Sequence, residues 1–317
     1  MNKISIIGAG TMGHSIAITV AWRNLSTHIY AINEREAERA AESIQKKIDI
    51  LVKSELLSED GSKQLLHHIH FTTSLMDCIK DTDFIIEAVP ENLQIKKELY
   101  QLLERVIPAN VPIASNTSGI PTSSLSSGML YPERFIITHF WNPAHLIPLV
   151  EVVPGIATNE ETVKQTVELL ELLGKKPILV KKEVPGFIGN RLQFALFREA
   201  QFLLSEGVAS KEDIDLAVTH SIGRRLPMTG PLMSADFTGL DVAFAISEYL
   251  YEDLCSDTKP APAMTNLIEN NQLGVKNRQG IYTWNDEEIN KMSKKREQLL
   301  IEFLKLDTQK GSGEHEG

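Results

Sequence analysis

A glycine-rich loop, Gly8-Ala-Gly-Thr-Met-Gly13, follows a short apolar run at Lys3–Ile7 and opens a helical pattern over Thr11–Arg23. This feature most constrains the fold. A strand that ends in a glycine turn and feeds a helix implies a crossover to a parallel neighbour, and so a layered α/β sheet. In such a turn Gly8 makes the tight bend, Gly10 lets a pyrophosphate approach the backbone, and Gly13 lets the helix pack on the strand. Thr11 and Met12 begin the helix, whose amides and positive dipole end face that anion. The bland alternative is a glycine-rich junction with no ligand. The placement, after a strand and before a helix, favours a dinucleotide.

Further strand candidates lie at Thr27–Ile32, Asp83–Glu87, Pro112–Ala114, Phe135–His139, Ile147–Val153 and Ile178–Val180, with helical patterns between several of them. This alternation predicts a Rossmann-type, doubly wound parallel sheet over residues 1–183. After Pro185 the strand signal fades. Gly189–Glu206, Lys211–His220, Thr238–Leu254 and Asp286–Leu306 read as helices, giving an all-helical C-terminal domain over 184–317. The charged amphipathic stretch Glu34–Lys53 is longer than a crossover needs and is a candidate for projecting toward substrate. Lys310–Gly317 reads as a frayed tail.

Charge and composition exclude several classes. A net charge of −10 opposes nucleic-acid binding. Two cysteines, Cys78 and Cys255, are too few for a disulfide scaffold and point to a reduced, cytoplasmic setting. The N-terminus fits no signal peptide, and no apolar run approaches the ~18 residues of a membrane span. His67, His68 and His70 lack the spacing and neighbours of a metal site and read as solvated surface; no metal is expected.

The cofactor's sugar raises a choice. An acidic residue is usual at the end of the second strand, about 20 residues beyond the loop. Ala31 stands there instead, with Asn33, Glu34 and Arg35 just beyond. Either Asn33 or Glu34 bonds the ribose of NAD, or the missing charge together with Arg35 tolerates NADP. NAD is the expectation.

Alcohol oxidation needs a base for the hydroxyl proton and donors that hold the oxygen. His139, at the end of a strand candidate, can be the base. Glu151 closes an apolar run and can fix its tautomer and stabilise the imidazolium. Ser118 and Asn190 can donate hydrogen bonds without charge. Each has an ordinary structural reading when taken alone; Ser-Asn-Thr-Ser at 115–118 is common turn composition. Trp141 fits core or pocket wall, with core preferred. Arg224 and Arg225 fit a carboxylate contact or a plain basic loop equally well.

Together, Ile4–Gly13, Glu87–Leu99, Ser115–Ser118, His139–Pro143, Leu149–Glu151 and Pro185–Arg191 resemble the 3-hydroxyacyl-CoA dehydrogenase family over almost the whole chain. The separations of 21 residues from Ser118 to His139 and 12 from His139 to Glu151 agree with it. The resemblance implies an active site of Ser118, His139, Glu151 and Asn190, with Glu91 and Lys96 on the nicotinamide-ribose side, and a homodimer formed through the helical domain. It implies oxidation of an L-3-hydroxyacyl-CoA. Several segments, such as Ile147–Pro154, instead resemble the lambda-crystallin (L-gulonate 3-dehydrogenase) and carnitine dehydrogenase branch, which takes free 3-hydroxy acids. The expected substrate is the CoA thioester; the alternatives are a free 3-hydroxy acid and a non-catalytic dinucleotide-binding protein. Lys46, Lys47 or Lys53 could face a CoA phosphate, although a lysine-bearing helix is more often a solvated face.

Overall fold

Eight strands form one sheet in the computed structural model, which describes residues 1–311 and side chains through Asp307; of the expected tail Lys310–Gly317, residues 310 and 311 close the last helix and 312–317 lie outside the described residues. The strands are β1 (Lys3–Ile7), β2 (Ser26–Tyr30), β3 (Ile69–Thr72), β4 (Phe84–Glu87), β5 (Ile113–Ser115), β6 (Phe135–Phe140), β7 (Leu149–Pro154) and β8 (Lys176–Leu179). Their order is β3-β2-β1-β4-β5-β6-β7-β8. Every pairing is parallel except β6 with β7, which is antiparallel, so the expected all-parallel sheet is mixed. The eight residues between β6 and β7 are too few for a parallel crossover, which takes a dozen or more.

The first unit's helices are α1 (Thr11–Ala21), α2 (Glu34–Lys53), α3 (Glu59–His67), α4 (Leu75–Ile79), α5 (Leu93–Val106), α6 (Thr122–Ser126) and α7 (Glu160–Leu172). α2 shows why this chain folds locally as it does. Asn33 caps it by accepting from the Glu36 amide, and Glu34 and Glu36 complement its N-terminal dipole. Ala37, Ala40, Ile44, Ile48 and Leu51 form its buried stripe at helical spacing. Alternate strand residues fill two apolar layers. Ile4, Ile6, Phe84, Ile86, Ile136 and Val152 face the layer holding α1 and α2. Ile7, Ile85, Ile113, Ile137 and Val153 face the layer holding Tyr100 and Leu103 of α5. The strand period of two therefore puts Glu87, Ser115, His139 and Glu151 on the α5 side.

Two compact units emerge, one of residues 1–188 and 295–317 and the other of 189–294. The second contains α8 (Gly189–Ser205), α9 (Lys211–His220), α10 (Ile222–Arg225), α11 (Pro231–Thr238), α12 (Leu240–Leu250) and α13 (Pro262–Glu269). The last helix, α14 (Asp286–Gly311), crosses the division, and its Ile301, Leu300 and Leu304 pack in the core of the first unit. Reading by strand signal alone assigns that return segment to the helical domain. Among the described residues of 189–294 only Ile214 and Cys255 are buried, while α11 exposes Leu232 by 87% and Phe237 by 81%.

Candidate active site

The antiparallel register sets His139 of β6 directly opposite Glu151 of β7. His139 Nδ1 lies 2.7 Å from Glu151 Oε2. Glu151 is fully buried, and it also accepts from Ile188 N at 2.8 Å and Trp141 Nε1 at 3.3 Å. Three donors around a buried carboxylate hold it in place. With the carboxylate accepting at Nδ1, the lone pair of His139 is left on Nε2, where a proton can be taken. The rings of Trp141 and Phe187 stand 5.5 and 5.6 Å from the imidazole. Trp141 is thus neither plain core nor only a wall; it is a donor to Glu151.

The Ile188 donor depends on an unusual turn. Gly186 and Phe187 both have positive φ, +76° and +52°. Glycine tolerates this, but a phenylalanine there is strained and is held by its burial under the sheet. The bend brings the Ile188 amide onto Glu151, a partner that no residue-type reading of Pro-Gly-Phe-Ile reveals.

Ser118 is exposed on the loop after β5, and its amide donates to Glu91 Oε1 at 3.0 Å. Asn116 Oδ1 accepts from the Phe140 amide at 2.9 Å, tying this loop to the end of β6 beside His139. Glu91 is exposed, whereas Lys96 is only 1% exposed and directs Nζ to Glu87 Oε1 at 2.7 Å, with Glu91 Oε2 at 3.4 Å. Asn190 lies in the first turn of α8 in the second unit. Arg224 and Arg225 lie exposed on α10, also in that unit.

The glycine loop can be tested for cofactor fit. A Cβ on Gly13 would sit 1.8 Å from the Gly8 carbonyl oxygen, and one on Gly8 would meet the Ala88 oxygen at 2.7 Å, so chain packing requires both glycines. A Cβ on Gly10 would have no protein atom within 4 Å. Nothing in the chain demands glycine there, whereas a pyrophosphate drawn close to the backbone does. Met12 is half-buried, Thr11 is exposed, and α1 has neither a side-chain cap nor an acidic residue in its first turn, which leaves its amides for an anion. Asn33 is exposed beyond β2; its Oδ1 is spent on the Glu36 amide, and its NH2 is what it can offer a ribose. Glu34 accepts from Thr73 Oγ1 at 3.2 Å. The residues fit NAD, which when bound supplies the hydride acceptor.

Residue types alone do not single out Glu87, Tyr100 and Thr117, all of which belong to the hydrogen-bond network beneath Ser118. Among the described residues no group of three His, Cys, Asp or Glu could hold a metal ion, and no helix is long and apolar enough to cross a membrane.

Comparison with known proteins gives the same picture. The model of the 3-hydroxyacyl-CoA dehydrogenase NAD-binding domain matches residues 3–184, and that of the C-terminal domain matches 186–284. A probable 3-hydroxybutyryl-CoA dehydrogenase of Deinococcus radiodurans is 37% identical, covering 89% of this chain and 100% of its own. An L-carnitine dehydrogenase of Oceanobacillus iheyensis is 30% identical, covering 96% and 98%. The crystal structure of 5-formyl-3-hydroxy-2-methylpyridine 4-carboxylic acid 5-dehydrogenase, an NAD+-dependent dismutase, superposes with a TM-score of 0.90 at 32% identity, covering 97% and 99%. The chain belongs to the 3-hydroxyacyl-CoA dehydrogenase family, NAD-dependent oxidoreductases that act on CH–OH groups.

Proposed function

We propose that this protein oxidises the hydroxyl-bearing carbon of a small free hydroxy acid, using NAD and the His139–Glu151 pair. The observation that carries the chemistry is the cross-strand bond of 2.7 Å between His139 Nδ1 and Glu151 Oε2. His139 Nε2 removes the hydroxyl proton as the hydride leaves the same carbon, and Glu151 balances the imidazolium that forms. Ser118 and Asn190 hold the substrate oxygen. The burial of the pair keeps competing water from the carboxylate and strengthens its hold on the ring.

The choice of a free acid rests on how closely a relative with a non-CoA substrate matches the fold. The 5-formyl-3-hydroxy-2-methylpyridine 4-carboxylic acid 5-dehydrogenase superposes with a TM-score of 0.90 over 97% of this chain, whereas a 3-hydroxyacyl-CoA dehydrogenase of Archaeoglobus fulgidus, covering 95%, superposes at 0.68. The family models stop at residue 284, and α14 begins at Asp286. The distal half of α14 packs into the core layer that contains the buried stripe of α2, and Glu297 bears electrostatically on Lys47. Burial lowers the Lys47 pKa, and Glu297 opposes that shift. A half-buried lysine whose charged form burial disfavours is a poor anchor for a CoA phosphate. A CoA thioester is the second reading, supported by the identity to the Deinococcus protein and by exposed Lys46 and Lys53 on α2.

Initial rates separate the readings: free acetoacetate and acetoacetyl-CoA with NADH or NADPH, and carnitine and gulonate with NAD or NADP. Turnover of free acids alone supports the proposal. Turnover of the thioester alone selects the CoA reading. No turnover anywhere, with NADH still bound, favours a non-catalytic dinucleotide-binding protein, although Ser118, His139, Glu151 and Asn190 all keep competent chemistry.

We infer that the working form is a homodimer. The second unit has almost no buried residues of its own and exposes Leu192, Phe194, Leu232, Phe237 and Phe244. So much uncovered apolar surface calls for a partner surface, and a second copy is the simplest one.

A further inference from the structure

Glu87 ends β4, and the sheet register aligns it with Ile7 of β1 and Ser115 of β5 at the carboxyl edge. It is fully buried. Oε1 accepts from Lys96 Nζ at 2.7 Å and Val89 N at 2.8 Å; Oε2 accepts from Tyr100 OH at 2.5 Å and Ser115 Oγ at 2.6 Å. Two donors on each oxygen saturate the carboxylate, so it has little capacity left for substrate or cofactor. Burial and the Glu87 charge raise the Tyr100 pKa well above its usual value, which keeps the phenol a donor.

The network continues outward. Lys96 Nζ, fixed by Glu87, lies 3.4 Å from Glu91 Oε2. Glu91 Oε1 accepts from Thr117 Oγ1 at 2.5 Å and from the Ser118 amide at 3.0 Å. Thr117 Oγ1 in turn accepts from the Ile120 amide at 3.0 Å. The order is therefore buried carboxylate, buried ammonium, exposed carboxylate, and the backbone of the loop that carries Ser118. A buried ion pair is a poor stabiliser, because apolar residues of similar volume often serve stability as well or better. What it supplies is fixed direction. Glu87 Oε1, and more distantly the Val89 carbonyl at 3.5 Å, fix where the Lys96 ammonium stands, and that place bears on where Glu91 can stand.

We propose that Glu87 is a positioning residue that sets Ser118 through Lys96 and Glu91. The inference rests on the proposed role of Ser118 in holding the substrate oxygen. Glu87→Gln keeps the shape and an acceptor for Lys96 but removes the charge that pins it. The Ser118 amide should then exchange with solvent about tenfold or more faster, while the β6 amides at 135–140 stay protected. On whichever substrate the wild type turns over, kcat should fall about 10- to 100-fold. Because Glu87 acts through Glu91, the double variant Glu87→Gln/Glu91→Ala should be no worse than Glu91→Ala alone. Unchanged Ser118 exchange, or losses that multiply in the double variant, would overturn the inference. If Glu87→Gln does not fold, Tyr100→Phe removes one donor from Oε2 and should shift exchange in the same direction by about threefold; no shift there counts against the proposal. If the wild type turns over no substrate, the functional reading fails, and amide exchange still decides the positioning claim.

Discussion

Replacing Glu151 with Gln changes one atom and should cost about three decades in rate. Three neighbours of this side chain, His139 Nδ1, Trp141 Nε1 and Ile188 N, require an acceptor. Glutamine offers one acceptor and one donor. If its carbonyl turns to His139, its NH2 opposes the Ile188 N–H. If its NH2 turns to His139, Nδ1 must accept, the ring proton moves to Nε2, and the base is blocked. In either orientation the imidazolium loses its counter-charge. At about 4 Å and an effective dielectric of about 20, that attraction is worth about 4 kcal/mol. At about 1.4 kcal/mol per tenfold, kcat/KM should fall about a thousandfold near neutral pH. Steady-state oxidation near neutral pH, with NADH binding followed by fluorescence, measures the loss. A loss under about tenfold with cofactor binding intact would refute the reasoning.

Four further outcomes are expected. Gly10→Ala should leave thermal unfolding unchanged while weakening NAD binding about tenfold or more, since only a ligand needs the space; calorimetry and titration together check it. Gly13→Ala should destabilise the fold by several kcal/mol, because its Cβ would overlap the Gly8 oxygen, and denaturant unfolding reads this directly. Lys175 donates to the carbonyls of Ala144 and Ile147 in the loop between His139 and Glu151, and burial lowers its pKa from 10.5 to about 8. The native state therefore binds fewer protons than the unfolded chain between those values, so stability should rise with pH through this window by up to about 3 kcal/mol. Lys175→Met should abolish that slope in urea unfolding. Phe237→Lys should shift the protein to monomer in sedimentation, and an unchanged mass would show that the dimer surface lies elsewhere.

Much of this was legible in the chain. The glycine loop announced its strand and helix because a tight turn, close backbone approach and helix–strand packing each demand glycine. His139 and Glu151 could be paired because each ends an apolar run. Their register could not be read, since a residue list does not say that the second strand turns back antiparallel. β3 is hard to read because Ile-His-Phe-Thr is short and lies beside two further histidines, which makes it look like solvated surface. Glu87 passed as the polar end of an apolar strand; its meaning comes from Lys96, Tyr100 and Ser115, which only the fold brings together. The return of α14 was hidden because a mostly charged helix gives little sign that Ile301, Leu300 and Leu304 are its buried stripe.

The most direct measurement is single-turnover NADH formation by His139→Ala, beside an NADH binding titration. If His139 is the base, cofactor binding should stay within about threefold while turnover falls by about a thousandfold or more. Turnover within about tenfold of wild type, with binding intact, would contradict the assignment and move the proton to another group.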